Sequence, residues 1–410
     1  MSPRMPTRPG VVIAICFAVV IVDGYDLVVY GAVAPSLLEY APWGLTPGTV
    51  GLIGSLALAG MLVGAVAAGW LGDRFGRRTV LVAALIEFSV CTALCAVAPS
   101  AEIFGLLRFL AGLGLGGVLP LAIALAMEAV PAGREQFANA VTTVANPIGG
   151  VVVSLVAILV IPELGFRALF WIGAAPALVL VPLALRHLPR SQPAPAVTRD
   201  RTQSLQTLFS PDYRRATILF PLISFSGLLL AYGMNTWLPG IMRQLGYSLG
   251  SSVSFLLVLN AGAVVGALIV AWLADRLGPR PTISVSFGLA VVCMVALALR
   301  PEGALLYAFV AGAGFGAMGT QILVNGFVGG YYPSHARATG LGWSLGLGRV
   351  GGILGPLVGG WILGSSIGIE WNFYVFAIAA FVAGGLILLV PRRPEPAVSP
   401  LRDDITEITA

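Results

Sequence analysis

Asp23-Gly24-Tyr25-Asp26 interrupts a run from Val11 to Val33 that is otherwise almost wholly apolar and long enough to cross a bilayer, which takes about 20 residues. A carboxylate in hydrocarbon costs several kcal/mol, so such residues face a water-filled cavity or a partner and as a rule belong to an ion or proton pathway. The two acids lie three residues apart, on roughly one face of a helix. Gly24 between them leaves room for a neighbouring helix or a ligand to approach. This pair is where the chemistry is expected. The alternative is a structural Asp that caps a broken helix or neutralises an Arg.

The rest of the chain has the same character. Of 410 residues 58% are hydrophobic and only 10% charged, which leaves no soluble domain of useful size. Cys16, Cys91, Cys95 and Cys293 all fall inside apolar runs, so they read as packing residues and neither a disulfide framework nor a metal site is expected. The net charge of +5 comes with no lysine at all: the 23 basic residues are arginines gathered in short loops between apolar spans. Such clustering sets membrane topology and does not indicate nucleic acid.

Twelve spans are expected, at roughly 11–34, 49–71, 79–98, 103–126, 138–161, 167–186, 216–239, 251–273, 281–299, 303–328, 338–363 and 371–390. With both termini cytoplasmic, 18 of the 23 arginines lie inside, while Arg167, Arg243 and Arg300 lie outside and Arg108 and Arg349 fall within spans. The asymmetry predicts a multi-pass protein of the cell (inner) membrane in that orientation. No short apolar h-region with a small-residue cleavage site is found at the N-terminus, so the first span is expected to stay as a helix.

An internal repeat organises these spans. Gly72-Asp73-Arg74-Phe75-Gly76-Arg77-Arg78 recurs as Ala274-Asp275-Arg276-Leu277-Gly278-Pro279-Arg280, an offset of 202 residues that also carries Gly112 onto Gly314, Pro131 onto Pro333 and Gly149-Gly150 onto Gly351-Gly352. Between the copies, His187 to Tyr213 is rich in Pro, Ser, Gln and charge and reads as a linker. The expected fold is therefore an all-α membrane protein of twelve helices in two six-helix bundles, residues 1–186 and 214–390, with a cytoplasmic linker at 187–213 and a tail at 391–410.

Asp73 ends the second span, where it can accept hydrogen bonds from a neighbouring helix N-terminus and pair with Arg77 or Arg78, latching the cytoplasmic side. Counting about 1.5 Å per residue from that side puts Asp23 and Arg349 at about 17 to 18 Å and Asp26 and Arg108 near 22 Å. Two acids and two arginines thus share the middle of the membrane. None is repeated in the other half: Arg108 aligns with Val310, Arg349 with Pro147, and the two Asp with Phe225 and Leu228.

The GDRxGRR loop between spans two and three, with its degenerate copy, resembles the major facilitator superfamily. Asp23-Gly24-Tyr25-Asp26, the Arg108-x-Leu110-x-Gly112-x-Gly114-x-Gly116 run, Glu128…Pro131…Arg134, and Arg337-Ala338-Thr339-Gly340 with Gly346-x-Gly348-Arg349 look like its aromatic acid/proton symporter branch. The resemblance implies import of benzoate-type acids such as 4-hydroxybenzoate, driven by protons through Asp23 and Asp26. Gating is then assigned to Asp73, Arg74, Arg77, Arg78, Glu128, Arg134, Asp275, Arg276 and Arg337. Pro279 and Pro281 around Arg280 depart from the motif in the second loop.

A substrate carboxylate in a dry site needs a cation, and Arg offers a planar bidentate fork. Arg349 is the first candidate and Arg108 the second, each weighed against a permanent salt bridge to Asp23 or Asp26. Tyr25, Tyr232, Trp343, Asn146 and Asn235 are candidate ring-stacking and polar contacts. A substrate anion that draws an Arg away from a buried carboxylate leaves it to take up a proton, which would couple the two. Glu128 reads as a partner of Arg134, and Glu87 as a glutamate reaching toward the cytoplasmic loop. The partners expected are the aromatic acid, protons and the lipid bilayer, with the protein working as a monomer and without cofactor. An exporter is the competing reading, prompted by the glycine-proline pattern Gly351 to Gly360, and a transporter-like sensor the third. No G-x-x-x-x-G-K-S/T loop can exist without lysine, and His187 and His335 are isolated, so no enzyme is expected.

Overall fold

A computed structural model describes residues 9–131, 133–189, 201–333 and 335–392, with the side chains of Arg201 and Thr202 left out. Arg4, Arg8, linker residues 190–200 and the tail beyond Arg392 lie outside the described residues. Twelve helices are long and apolar enough to cross a membrane: α1 Pro9–Glu39, α2 Pro47–Phe75, α3 Arg77–Cys95, α4 Ala101–Glu128, α5 Glu135–Leu164, α6 Arg167–His187, α7 Arg214–Gln244, α8 Leu249–Leu277, α9 Pro279–Ala298, α10 Ala304–Tyr331, α11 Arg337–Leu363 and α12 Trp371–Leu389. Each expected span corresponds to one of them, although 79–98, 281–299, 303–328 and 371–390 pass an end of α3, α9, α10 and α12 by one to three residues. Most other helices outrun the apolar stretch because polar end residues keep the helical backbone to the water boundary.

α1 runs unbroken through Gly24, so neither Asp caps an interrupted helix. α6 is divided at Ala175-Pro176, where the proline cannot donate to the helical ladder. α10 contains a π-helical turn over Phe315–Gly319. A short helix, Arg201–Phe209, precedes α7.

The repeat is geometric as well as textual. α2 and α8 are both 29 residues long and are capped at corresponding positions, Thr46 accepting from the Thr49 amide and Ser248 from the Ser251 amide. Both leave through a glycine in the left-handed region, Gly76 at φ 87° and Gly278 at φ 86°, a conformation that costs other residues strain. Inside the N-terminal bundle α2 packs on α4 and α1 on α5. The C-terminal bundle repeats this with α8 on α10 and α7 on α11. Glycines permit the close approach: a Cβ on Gly60 would run into the Phe109 carbonyl, and one on Gly262 into the Ala311 carbonyl. Membrane helices have little hydrophobic drive toward one another, so backbone-to-backbone contact of this kind supplies the packing.

The bundles meet along α2–α11, α5–α8 and α1–α7. Among the described residues three hydrogen bonds join them: Arg243 Nε to Glu39 at 2.7 Å, Ser55 Oγ to the Ile353 carbonyl at 2.6 Å, and Arg349 Nη1 to the Met61 carbonyl at 2.5 Å. Gly51 and Gly360 close the same seam against Pro356 and Pro47. All of these contacts lie at mid-helix or toward the end that carries Glu39, away from the arginine-rich loops.

Gly60→Ala should lower the melting temperature of the detergent-purified protein, because overpacking of this kind costs about 1–3 kcal/mol. Gly69→Ala, where an added Cβ meets nothing, should leave it unchanged or raise it slightly. Thermal unfolding of both variants by intrinsic fluorescence is the measurement, and equal melting would show that the α2–α4 approach is not rigid.

Candidate substrate and proton site

Asp23 and Asp26, both 1% exposed, have different surroundings. Asp26 is saturated. Arg108 of α4 donates to its Oδ2 at 2.8 Å and to its backbone carbonyl at 3.0 Å, and Thr92 of α3 donates to Oδ1 at 2.7 Å. A fully buried ion pair of this geometry is closed within one bundle. Depth counting put Asp26 and Arg108 at one level, and the α1–α4 contact brings them together. Thr92 was not singled out from the sequence; a hydroxyl in an otherwise apolar stretch of α3 was the signal available.

Asp23 is only half satisfied. Gly24 lets the α5 backbone approach at Asn146, and Asn146 Nδ2 then donates to Asp23 Oδ2 at 2.9 Å. Asp23 Oδ1 is buried without any hydrogen bond. Leaving a buried polar atom unpaired costs about 1–3 kcal/mol, and more when the group is charged.

Arg349 approaches the same level from the other bundle. Gly348, Gly351 and Gly355 seat α11 against Ser224, Phe225 and Leu229 of α7, so the glycine-proline stretch Gly351 to Gly360 serves helix packing. Half-buried Arg349 has the Met61 carbonyl as its hydrogen-bond acceptor among the described residues. Among the described residues no carboxylate lies within ion-pairing distance of it, yet Asp23 and the Tyr232 hydroxyl are near enough to feel its charge. The result is an unpaired carboxyl oxygen on α1, a phenol on α7 and a guanidinium on α11 gathered near the boundary between bundles, with Arg349 reaching across it to Met61.

The remaining expected contacts disperse. Tyr25 turns into its own bundle, its hydroxyl donating to the Leu169 carbonyl at 3.0 Å. Asn235 joins Asn260 at 3.1 Å and Met318 at 3.2 Å inside the C-terminal bundle. Trp343 donates to the Thr217 carbonyl at 3.0 Å and stacks edge-on with Phe209. It sits six residues, about 9 Å, from Arg349 toward the arginine-rich end.

Two pairings expected at the loops are corrected. Arg77 pairs with Glu128 and not with Asp73, and Arg78 donates to the Leu185 carbonyl. The left-handed Gly76 turns the chain so that Arg77 meets the last turn of α4, while Asp73 remains exposed with no hydrogen bond to another described residue. Glu128 is therefore taken from Arg134, which forms no ion pair with any described residue. Arg74 and Arg276 lie over Trp70 and Trp272, equivalent positions of the repeat, while Asp275 and Arg337 are exposed. Glu87 does not reach the loop either. Ten residues into α3, it lies in a notch left by Gly114, and its Oε1 accepts from Cys91 Sγ at 3.6 Å.

Twelve membrane helices in two related bundles, with polar groups facing each other between them, define a multi-pass membrane transporter. The sequence profile described as Major Facilitator Superfamily matches residues 16–344 and 303–409, and the chain belongs to that superfamily. It is 38% identical over 372 residues to a protein of Corynebacterium glutamicum named gentisate transporter, covering 89% of this chain and 83% of that one. It is 32% identical to the benzoate transport protein of Acinetobacter baylyi, covering 97% and 94%. It is also 32% identical to the 4-hydroxybenzoate transporter of Pseudomonas aeruginosa, covering 88% and 87%. Among solved structures, a D-xylose-proton symporter superposes with a TM-score of 0.79 at 18% identity over 94% of this chain and 99% of that one.

The Asp26–Arg108 pair makes a specific demand. Removing one partner of a buried pair costs about 3–5 kcal/mol because the other charge is stranded, so Asp26→Asn and Arg108→Gln should each cut the yield of monodisperse membrane protein sharply. The double variant, which strands no charge, should recover much of it. Size-exclusion chromatography of fluorescently tagged variants reads this out, and a double variant worse than either single one would contradict it.

Proposed function

We propose that this chain is a proton-coupled symporter that imports a small aromatic carboxylate of the benzoate or 4-hydroxybenzoate type across the cytoplasmic membrane by alternating access, with both termini inside. The observation that carries this reading is the unequal pairing of the four midplane charges. Arg108 and Asp26 neutralise each other within one bundle, while Arg349 and Asp23 face each other from different bundles without an ion pair. A carboxylate substrate supplies the anion that Arg349 lacks, and a proton on Asp23 removes the charge that Asp23 cannot pair. The names of the relatives, transporters of gentisate, benzoate and 4-hydroxybenzoate, favour an aromatic acid as that anion.

In this reading Arg349 exchanges the Met61 carbonyl for the substrate carboxylate, and Tyr232 and Asn146 contact the ring or its substituents. The two bodies that move are residues 1–186 and 214–390, joined by the linker at 187–213. The seam that is closed at the Glu39 end opens as the arginine-rich end closes. Asp73, exposed in this structure, latches with its loop partners in the opposite state, and Glu128–Arg77 is exchanged there. Asp275, Arg276 and Arg337 act at the other bundle's loop.

Substitution separates the two roles. Asp23→Asn in vesicles should abolish uphill uptake of 4-hydroxybenzoate driven by an imposed pH gradient while retaining exchange of labelled for unlabelled substrate. Arg349→Ala should weaken binding by well over tenfold, since truncating one side of a desolvated charged pair costs about 2–5 kcal/mol. Lysine should rescue it only partly, having lost the fork. Full concentrative uptake by Asp23→Asn would sink the proton role, and equal loss of acid and amide analogues in Arg349→Ala would remove Arg349 from the carboxylate.

A further inference from the structure

The repeat also breaks in the loop between α8 and α9, at Arg280, to which the proposed cycle gives no part. In the N-terminal bundle the arginines of the α2–α3 loop are satisfied, Arg77 by Glu128 and Arg78 by the Leu185 carbonyl. At the equivalent positions of the other bundle Pro279 replaces Arg77 and Gly330 replaces Glu128. Arg280 keeps its charge and loses both kinds of acceptor: its Nη2 is buried with no hydrogen bond, and among the described residues no carboxylate lies within ion-pairing distance of it.

That guanidinium lines a cavity of about 430 Å³ with Leu277, Pro279, Pro281, Phe327 and Arg392. A second basic residue therefore shares the space. Arg392 follows the end of α12, where the Tyr331 hydroxyl holds the Pro391 carbonyl at 3.2 Å. Among the described residues, exposed Asp275 lines a neighbouring cavity that shares Pro279 and Phe327 with this one. Two cations, one carrying a buried unpaired N–H, thus meet an apolar rim at a helix boundary.

We propose that this cavity binds the phosphate of an anionic phospholipid headgroup from the cytoplasmic leaflet. The rim decides between a lipid and a free phosphate. Leu277 is exposed at the mouth, and exposed Val285 of α9 with Leu388 and Leu389 of α12 continue from it along the membrane-facing side, a track on which acyl chains can lie. Basic pockets of this kind between helices on the cytoplasmic side are suited to such headgroups. The bound phosphate would satisfy Arg280 as Glu128 and Leu185 satisfy its counterparts, pinning the α8–α9 loop to the end of α12.

The test is a titration of the full-length protein in detergent with phosphatidylglycerol, read by native mass spectrometry. The Arg280→Gln/Arg392→Gln double variant should bind it about thirtyfold more weakly, as two arginines facing an anionic headgroup imply. Arg186→Gln with Arg300→Gln, matched in charge, should bind as the wild type does, and phosphatidylcholine should not compete. Inorganic phosphate that displaces the lipid at similar concentration would overturn the lipid assignment in favour of a soluble anion. Equal binding by the wild type and the Arg280/Arg392 variant would overturn the site. Where the double variant is poorly folded, Arg280→Lys alone, which keeps a charge but not the fork, should bind between the two.

Discussion

A carboxylate at the level of the hydrocarbon core is tolerated only where protein groups replace its water, and the N-terminal bundle is arranged around that requirement at Asp26. Arg108 meets the side chain and the backbone of the same residue, Thr92 takes the other oxygen, and all three are buried. Three helices are tied by one carboxylate. Because this pair closes on itself, the second acid and the second arginine have no ion pair among the described residues of their own bundles. What remains unpaired is then a property of the interface between bundles.

Glycine decides which side chains can meet. Gly24 admits the α5 backbone and so brings Asn146 to Asp23, while Gly348, Gly351 and Gly355 press α11 onto α7 and leave Arg349 to reach the Met61 carbonyl on the opposite bundle. The same device recurs at Gly60 and Gly262 in equivalent positions of the repeat. The duplicated scaffold is symmetric in backbone and asymmetric in charge, since Arg108, Arg349, Asp23 and Asp26 face Val310, Pro147, Phe225 and Leu228 across the repeat.

The twelve helices and their pairing into two halves were legible because apolar length and a gapless 202-residue offset are long-range signals that no single side chain can spoil. The level of the charges was legible too, since rise per residue in a helix is constant. Which charge pairs with which was not. Depth counting leaves rotation about each helix axis open, so it could not tell that Tyr25 points at Leu169 inside its bundle, or that Asn235 turns to Asn260. At the loops the difficulty was different: Asp73, Arg77, Arg78, Glu128 and Arg134 are all within reach of one another in sequence terms, and a single left-handed glycine decides that Arg77 goes to Glu128.

The distribution of partners bears on how transport and proton movement could be linked. If Arg349 and Asp23 were a strong ion pair, drawing a substrate anion into the gap would first require breaking it, and the bundles would be clamped together at mid-membrane. They are instead joined there by hydrogen bonds from Arg349 and Ser55 to backbone carbonyls of the facing helix, which can be exchanged for water or a ligand at small net cost. In the proposed cycle, an anion held by the C-terminal bundle would lower the positive charge that Asp23 of the N-terminal bundle feels, and a proton on Asp23 would raise the hold of Arg349 on the anion. Each ligand would then favour the other through a group on the opposite bundle, and this reciprocity would be strongest when the bundles are close. Relative motion of the bundles would therefore carry anion and proton together, and either one alone would meet a site whose charges are left uncompensated.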